Sequence, residues 1–212
     1  MNDPKPDPHS LADLPLFPLQ SVLFPGAQLH LRVFEVRYLD LVSRCLREQQ
    51  PFGAICLRQG SEVRSSGEDA VLLETTGVLA RLEEVDAEQT SVLRVRCLGT
   101  QRFEIDEPVQ QPDGLWTARA WLIDDDVVVA PPASMVATVR ALANAIGALE
   151  RKGGSPFLKP YRFDDAGWVA NRWCELLPIS LAAKQRLMAL EDPQVRLRLV
   201  DEYLRGKGVV PA

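Results

Sequence analysis

The hydrophobic pattern of this 212-residue chain changes its period once, at the segment DDDVVVAPPAS (124–134). Before that segment, short runs alternate apolar and polar residues, as in QLHLRV (28–33), which is typical of half-buried strands. After it, apolar residues recur every three or four positions, as in residues 133–151, which is the period of a helix. We therefore predict an α+β fold with a disordered lead-in (1–12), a strand-rich unit (13–126) and a helical unit (132–206).

The strand-rich unit is predicted to hold several antiparallel strands and one helix. The helix covers residues 35–48, with Glu35 in its first turn and an apolar stripe formed by Tyr38, Leu41, Val42, Cys45 and Leu46. Further strands are expected at 52–57, 71–85, 91–99, 101–105 and 115–123, with a loop at 58–70 and a turn at 86–90. Short alternating strands separated by turns favour a closed or nearly closed antiparallel barrel.

The helical unit carries recognisable start and stop signals. Asp164 or Asp165 is placed to cap a second helix, and Ser180 is placed to cap a third. Asp192, followed by a proline, is a strong start signal for the last helix, and Gly206 stands where a C′ glycine is expected. These signals predict a small helical bundle.

Charge argues against partners that are held through phosphates. The formal net charge is −5. Residues 1–132 carry 12 Lys/Arg against 21 Asp/Glu, a net −9, and residues 133–212 carry 12 against 8, a net +4. Nucleic acid is therefore an unlikely partner. No apolar run is long enough for a membrane span, and the N-terminus lacks the pattern of a secretory signal, so we expect a cytoplasmic protein.

The residue types needed for catalysis or metal binding do not come together in the sequence. P-loop and G-x-S-x-G motifs are absent, and the pair Ser180 and Lys184 is better explained by helix capping. Without a C-x-x-C pair, the cysteines are expected to be buried free thiols rather than zinc ligands: Cys45, Cys56, Cys97 and Cys174. We predict no catalytic residue, no metal and no cofactor.

Two charge clusters could suggest a ligand site but have simpler explanations. The triple aspartate 124–126 is interpreted as a solvated charge run at a unit boundary. Arg94 and Arg96 could contact phosphate, but we place them on the outer face of the barrel, balanced by Glu83 and Glu84.

An ordered series of motifs resembles one known family. The segment LPLFPLQSVLFPG (14–26) is followed by LHLRVFEVRY (29–38), FGAICL (52–57), TGVLARLEEV (76–85) and LGTQRFEI (98–105). A helical run, WCELLPISLAAKQRLMALEDPQVRL (173–197), completes the series. These motifs resemble the substrate-binding domain found at the N-terminus of Lon-type ATP-dependent proteases.

The resemblance implies a fold and a function. The fold is a PUA-like antiparallel β-barrel followed by a C-terminal α-helical bundle. The domain helps Lon-type proteases to recognise unfolded or tagged polypeptides and supports oligomer assembly. Because the motifs of the ATPase and protease modules do not occur, we expect a stand-alone, non-enzymatic module that binds polypeptide segments or a partner protein, with self-association left open.

The opening segment also supplies the candidate binding residues. Most of its aromatic and leucine residues, including Phe17 and Leu23, are expected in the core. Phe24 and Phe34 adjoin a turn or the end of an element, so we expect them, with Tyr38, to line an apolar rim where a peptide lies. Glu35 and Arg37 would flank this rim and orient the bound chain.

Two other classes of function remain open at this point. PUA-like barrels often bind RNA, and the basic residues of 133–212 leave room for that activity. A small-molecule enzyme with its site between barrel and bundle is the other alternative, since clefts between domains are favoured ligand sites.

Overall fold

A computed structural model describes residues 9–60, 71–89, 91–154 and 157–211. The chain divides into two compact units, Met1–Asp125 and Asp126–Ala212. The α+β class is confirmed: the described strands all lie in the first unit, and four of the five α-helices that the structure describes lie in the second. Residues 1–8 of the expected lead-in lie outside the described residues, and residues 10–12 already belong to the first strand.

The described residues of the first unit form six strands and one helix. Their bounds are β1 (Ser10–Leu19), β2 (Gln28–Val33), α1 (Val36–Glu48), β3 (Phe52–Gln59), β4 (Leu72–Gln89), β5 (Val92–Gln110) and β6 (Trp116–Leu122). The strands at 91–99 and 101–105 are thus one long strand, β5, and residues 86–89 of the expected turn belong to β4. Of the loop expected at 58–70, two residues end β3, and residues 61–70 lie outside the described part of the chain.

The strands form one mixed sheet. Their order is β2-β5-β4-β3-β1-β6, and β5 also pairs with β6, so the pairings run in a circuit that leaves β2 outside it. β1 and β3 are parallel, whereas the remaining pairs are antiparallel. The prediction of a uniformly antiparallel barrel is therefore wrong at β1–β3. The connection between these strands contains α1, and such long crossovers are what parallel strands require.

One cluster in the apolar core of the first unit is drawn from five strands. Its buried members are Leu14, Leu16, Ile55, Leu79, Phe103, Ile105, Ala118 and Ala120. The Phe103 ring lies against two glycines: a Cβ added at Gly77 would stand 2.5 Å from it, and one at Gly53 would stand 2.7 Å away. Only glycine leaves room for the ring there. The four cysteines are buried and free, as predicted.

The second unit contains a 3₁₀ turn (Ala133–Met135) and four helices, α2 (Val136–Arg151), α3 (Ala166–Leu176), α4 (Leu181–Ala189) and α5 (Pro193–Gly206). Asp165, Ser180 and Asp192 cap the last three helices through their side chains, as predicted. Gly206 is the last residue of α5 rather than its C′ glycine, and Gly208 takes the left-handed conformation with φ 68°.

A buried ion pair joins the start of the second unit to its last helix. The fully buried guanidinium of Arg196 donates to Asp126 through Nη1 at 2.5 Å and Nη2 at 3.3 Å, and it also donates to Asn171 at 3.2 Å. The interpretation of residues 124–126 as a solvated charge run is therefore wrong for Asp126. Its carboxylate compensates a buried charge that the sequence alone does not place.

Candidate functional site

The structure separates the aromatic residues that the sequence brought together at a rim. Phe24 is completely buried, at 0% exposure, and Tyr38 is buried and stacks on Phe17 with ring centroids 4.1 Å apart. The turn after Phe24 is held against β5, where Gly26 N–H donates to Gly99 O at 2.8 Å. The packing of this turn on β5 keeps Phe24 inside. Because their side chains are buried, Phe24 and Tyr38 are core residues and not rim residues.

One predicted apolar position remains at the surface. Phe34 is 51% exposed between β2 and α1, and Val36 is 72% exposed at the start of α1. Glu35, between them, precedes the helix as its N-cap residue rather than lying in its first turn, and its side chain makes no capping hydrogen bond. We call residues 34–36 the β2–α1 corner; its exposed surface is smaller than the rim that the sequence predicted.

Arg37 positions a loop. Its side chain is mostly buried, pairs with Glu35 at 2.8 Å, and donates from Nη1 to the carbonyl of Gly114 at 2.7 Å. Its guanidinium also lies 4.5 Å from the centre of the Tyr38 ring. These contacts fix the loop of residues 111–115 on α1 and leave the guanidinium little freedom to orient a bound chain.

A groove that the sequence did not predict lies beside β1. Its volume is about 350 Å³. Its floor is apolar and is shared with the core of the unit, because Leu14 and Leu79 belong to the core cluster and Leu11 and Leu122 pack against it. We call it the β1 groove; its lining residues are Leu11, Ala12, Asp13, Leu14, Pro15, Arg44, Cys45, Glu48, Gln50, Pro51, Leu79 and Leu122.

The β1 groove exists because the strand circuit is incomplete at this place. β3 pairs with β1 only along residues 16–19, so the preceding part of β1 has β6 on one side and no strand on the other among the described residues. The last turns of α1 line the gap with Arg44, Cys45 and Glu48. Gln49, in the left-handed conformation with φ 54°, then ends the helix before β3 begins. The gap therefore opens a path from solvent to the apolar core.

A second, more polar hollow continues from the β1 groove. Its volume is about 530 Å³, and the two hollows share Asp13 and Arg44. The remaining lining residues are Gln111, Pro112, Asp113, Leu115 and Thr117. Four of these five belong to the loop that Arg37 holds through the Gly114 carbonyl. Arg37 thus affects this surface indirectly, through the loop.

Sequence reasoning missed the groove residues because no local signal marks them. Leu11 falls in the stretch interpreted as a lead-in, and Arg44 looks like any polar residue on the outer face of a helix. They meet only through the parallel register of β1 and β3, which is a long-range property. The one local hint is the proline-bearing strand itself, since proline favours strand edges.

No described residues assemble a catalytic or metal centre that we recognise. Among residues 9–60, 71–89, 91–154 and 157–211, no group of three His, Cys, Asp or Glu side chains could hold a metal ion. Ser180 Oγ accepts from Ala183 N–H at 3.2 Å, and Lys184 Nζ donates to the Glu175 carbonyl at 3.1 Å, so each has a structural role.

Three of the four thiols are poor nucleophiles in this fold. Burial raises the pKa of Cys97 and of Cys174 to about 12, and it also raises the pKa of Cys45 on the floor side of the β1 groove. A thiol is reactive as its thiolate, so these residues are inert near neutral pH. None of the helices that the structure describes is long and apolar enough to cross a membrane.

Comparison with known proteins identifies relatives along nearly the whole chain. Residues 13–206 match the model of the ATP-dependent protease La (LON) substrate-binding domain. A crystal structure of a Lon N-terminal domain protein from Xanthomonas campestris is 31% identical with a TM-score of 0.69, covering 91% of this chain and 99% of that one. The N-terminal domain of a Mycobacterium avium complex Lon protease has a TM-score of 0.60 at 13% identity, covering 90% and 97%, which supports the fold alone. No curated protein matches the chain.

Proposed function

Because this chain belongs to the family of Lon substrate-binding domains, we propose that it binds unfolded or apolar segments of other polypeptides and catalyses no reaction on them. We also propose that the strand circuit is the PUA-like barrel of this family and that α2 to α5 form its helical bundle. The cytoplasmic location expected from the sequence stays a prediction.

The apolar floor of the β1 groove is the observation that carries this proposal. Leu11, Leu14, Leu79 and Leu122 offer an apolar hollow of about 350 Å³ that is open to solvent. This volume lies at the lower end of the range for ligand sites, roughly 300–1,000 Å³. It suits one large aliphatic or aromatic side chain with its neighbouring backbone. Such a side chain is exposed in an unfolded chain and buried in a folded one, so the groove would distinguish the two.

The size of the site sets the expected affinity. Burial of one leucine or phenylalanine side chain contributes about 1.5–3 kcal/mol, whereas a Kd of 1 μM requires about 8 kcal/mol. A single anchor is thus insufficient for tight binding, particularly after the loss of translational freedom. Short segments should bind with Kd values of roughly 10 μM to 1 mM. The β2–α1 corner, with Phe34 and Val36 exposed, is a candidate for a second contact on longer chains.

Neither alternative function gains support from the site. For RNA binding, Arg94 and Arg96 would be the obvious cations of the sheet, but Arg94 lies 3.7 Å from Glu88 and Arg96 pairs with Glu84. Glu83 was expected to balance the charge of these two arginines, but it pairs with Arg81 instead, at 2.9 Å. The small-molecule enzyme was expected to have its site between barrel and bundle, and the β1 groove gives that hypothesis no argument because its lining residues all belong to the first unit.

The proposal can be tested with one protein presented in two states. Reduced, carboxymethylated α-lactalbumin is permanently unfolded, and the native form is its folded counterpart. We expect fluorescein-labelled unfolded protein to bind in an anisotropy titration and the native form not to bind. Equal binding of both forms, or binding of neither, would contradict the proposed function.

Two variants with one matched control then locate the site. Ala12→Arg places a long charged side chain in the β1 groove, and Ala87→Arg makes the same change at an exposed position of β4. Phe34→Ser removes the exposed ring of the β2–α1 corner. We expect Ala12→Arg to weaken binding at least tenfold, Phe34→Ser to weaken it by a smaller factor, and Ala87→Arg to leave it unchanged.

A further inference from the structure

We propose that the β1 groove takes its guest as an extended strand, which pairs with the open edge of β1, places an apolar side chain on the groove floor and carries a basic residue next to it. This inference rests on the proposed function and specifies how the guest is held. It predicts a preference for backbone conformation and charge that a simple apolar patch would not have.

The backbone of β1 is open on the side that faces the groove. Within residues 10–16, all but Ala12 and Asp13 pair with β6, and residues 16–19 pair with β3. Residues 11–15 therefore have no strand on the side away from β6 within the described part of the chain. The same residues line the groove. An open edge presents backbone N–H and C=O groups at strand spacing, and an extended polypeptide can pair with them. One extended guest can therefore pair with the open edge and contact the apolar floor at the same time.

Two features limit the length of strand that can be added. The register between β1 and β6 shifts between Leu11 and Leu14, so β1 bulges there and its twist increases. Pro15 has no N–H to offer at the far end of the open stretch. Only a short guest segment can pair, and its position along β1 is set by the bulge. A short pairing with one anchor also suits the weak affinity expected above.

The charges at the mouth favour a basic guest. Asp13 and Glu48 line the β1 groove, and Asp13 and Asp113 line the hollow that continues from it. Arg44 is the one basic residue among the lining residues of the two hollows. Three carboxylates against one guanidinium give this surface a net negative charge. A lysine or arginine beside the apolar anchor would thus be attracted, and an acidic residue would be repelled.

The test uses a fluorescein-labelled peptide of sequence TKLTLTK and two N-methylated forms of it. In a strand, the amides of alternate residues point to opposite edges. One form is methylated on the amides of the second, fourth and sixth residues, and the other on those of the third and fifth. Only one of the two sets can face β1, so we expect one form to lose about tenfold in affinity, which corresponds to ~1.4 kcal/mol, and the other to bind like the parent.

A charge-reversed peptide, TELTLTE, tests the basic preference. It should bind severalfold more weakly than the parent at low salt, and the difference should shrink as the ionic strength rises. Ala12→Arg should abolish binding of the parent peptide, and Ala87→Arg should not. Sedimentation of the free protein shows whether a second copy occupies the edge instead.

The outcomes separate this inference from the proposed function. If unfolded α-lactalbumin binds but the two methylated peptides bind equally, or if the parent peptide does not bind, strand addition is wrong and the proposed function stands. If charge reversal leaves the affinity unchanged at low salt, the basic preference is wrong. A self-dimer that the parent peptide disrupts would show that the occupant of this edge is another copy. If unfolded protein does not bind either, the proposed function itself fails.

Discussion

Replacing Arg37 with methionine distinguishes the role that the structure gives this residue from the role that the sequence suggested. The sequence placed Arg37 at the edge of a binding rim, where it would orient a guest. In the structure its guanidinium donates to Gly114 O at 2.7 Å and holds the loop of residues 111–115. Methionine keeps much of the apolar packing of the arginine stem and removes the charge and the donors. We expect lower stability with little direct effect on a guest in the β1 groove.

The expected loss can be estimated contact by contact. The charged hydrogen bond to Gly114 O is worth about 1.5–3 kcal/mol, towards the lower figure because Gln110 Nε2 also donates to that carbonyl, at 3.3 Å. The partly exposed pair with Glu35 adds about 0–1 kcal/mol, and the contact with the Tyr38 ring adds about 0.5–1 kcal/mol. Arg37 Nε is buried with no hydrogen-bond partner in the described structure. Removing this unsatisfied donor stabilises the protein by about 1 kcal/mol and so reduces the net loss. The net loss is about 2 kcal/mol, or roughly 4–8 °C in Tm for a chain of this size.

Thermal and urea unfolding followed by circular dichroism measure this loss. Arg94→Met is the matched control, because Arg94 lies on the same unit with its side chain 66% exposed and its partner Glu88 3.7 Å away. That variant should change the free energy of unfolding by less than about 0.5 kcal/mol. Binding of the TKLTLTK peptide is then measured on both variants well below their Tm values.

The reasoning is refuted by one pattern of results. If Arg37→Met unfolds at the temperature of the unmodified protein yet loses most of its affinity for the peptide, Arg37 contacts the guest. The interpretation from the sequence would then be right, and the hydrogen bond to Gly114 would contribute little. A drop in Tm with binding retained at low temperature supports the positioning role.

Three further predictions concern the interior. Arg196→Met removes the buried guanidinium that pairs with Asp126 and should cost about 3–5 kcal/mol in urea unfolding; adding Asp126→Asn should restore part of this, and no recovery would contradict the pairing. Burial raises the pKa of Glu175 from 4.5 to about 7 although Arg172 lies 2.7 Å away, so its contribution to stability is present below pH 4.5 and is lost as the pH rises through 7, by up to about 3 kcal/mol. Glu175→Gln should remove this dependence of the unfolding free energy on pH. Identical pH profiles for the variant and the unmodified protein would exclude Glu175 as its cause. Gly77→Ala sets a Cβ 2.5 Å from the Phe103 ring and should cost about 1–3 kcal/mol or more; an unchanged Tm would refute the close packing.

Local signals in the sequence predicted the helical unit well. An N-cap needs a short polar side chain within three residues of the amide it accepts from, and Asp165, Ser180 and Asp192 all meet that requirement. The alternation of β2 likewise gave its bounds, since period-two patterning depends on one face being buried. These features depend on residues close together in the chain, which is why the sequence suffices for them.

Features that depend on contacts between distant segments were missed. Gly99 looked like the end of a strand, but it lies within β5, where an added Cβ would stand 2.6 Å from the carbonyl of Phe24. The glycine therefore allows a close approach of two backbones rather than a turn. The same approach buries Phe24, which the sequence placed at the surface. Asp126 is a similar case, since its partner Arg196 lies 70 residues away.

The features that would let the β1 groove bind a strand also protect the protein from its own open edge. A long, regular edge with an apolar floor would pair with other copies and aggregate. The bulge before Leu14 and the missing N–H of Pro15 shorten the edge, and the charges of Asp13 and Glu48 surround it. A guest strand meets the same restrictions, so it cannot gain affinity by pairing over a greater length. If the proposed function holds, weak and rapidly reversible binding follows from the features that limit pairing at this edge, and tight binding of a long chain would require a second contact such as Phe34.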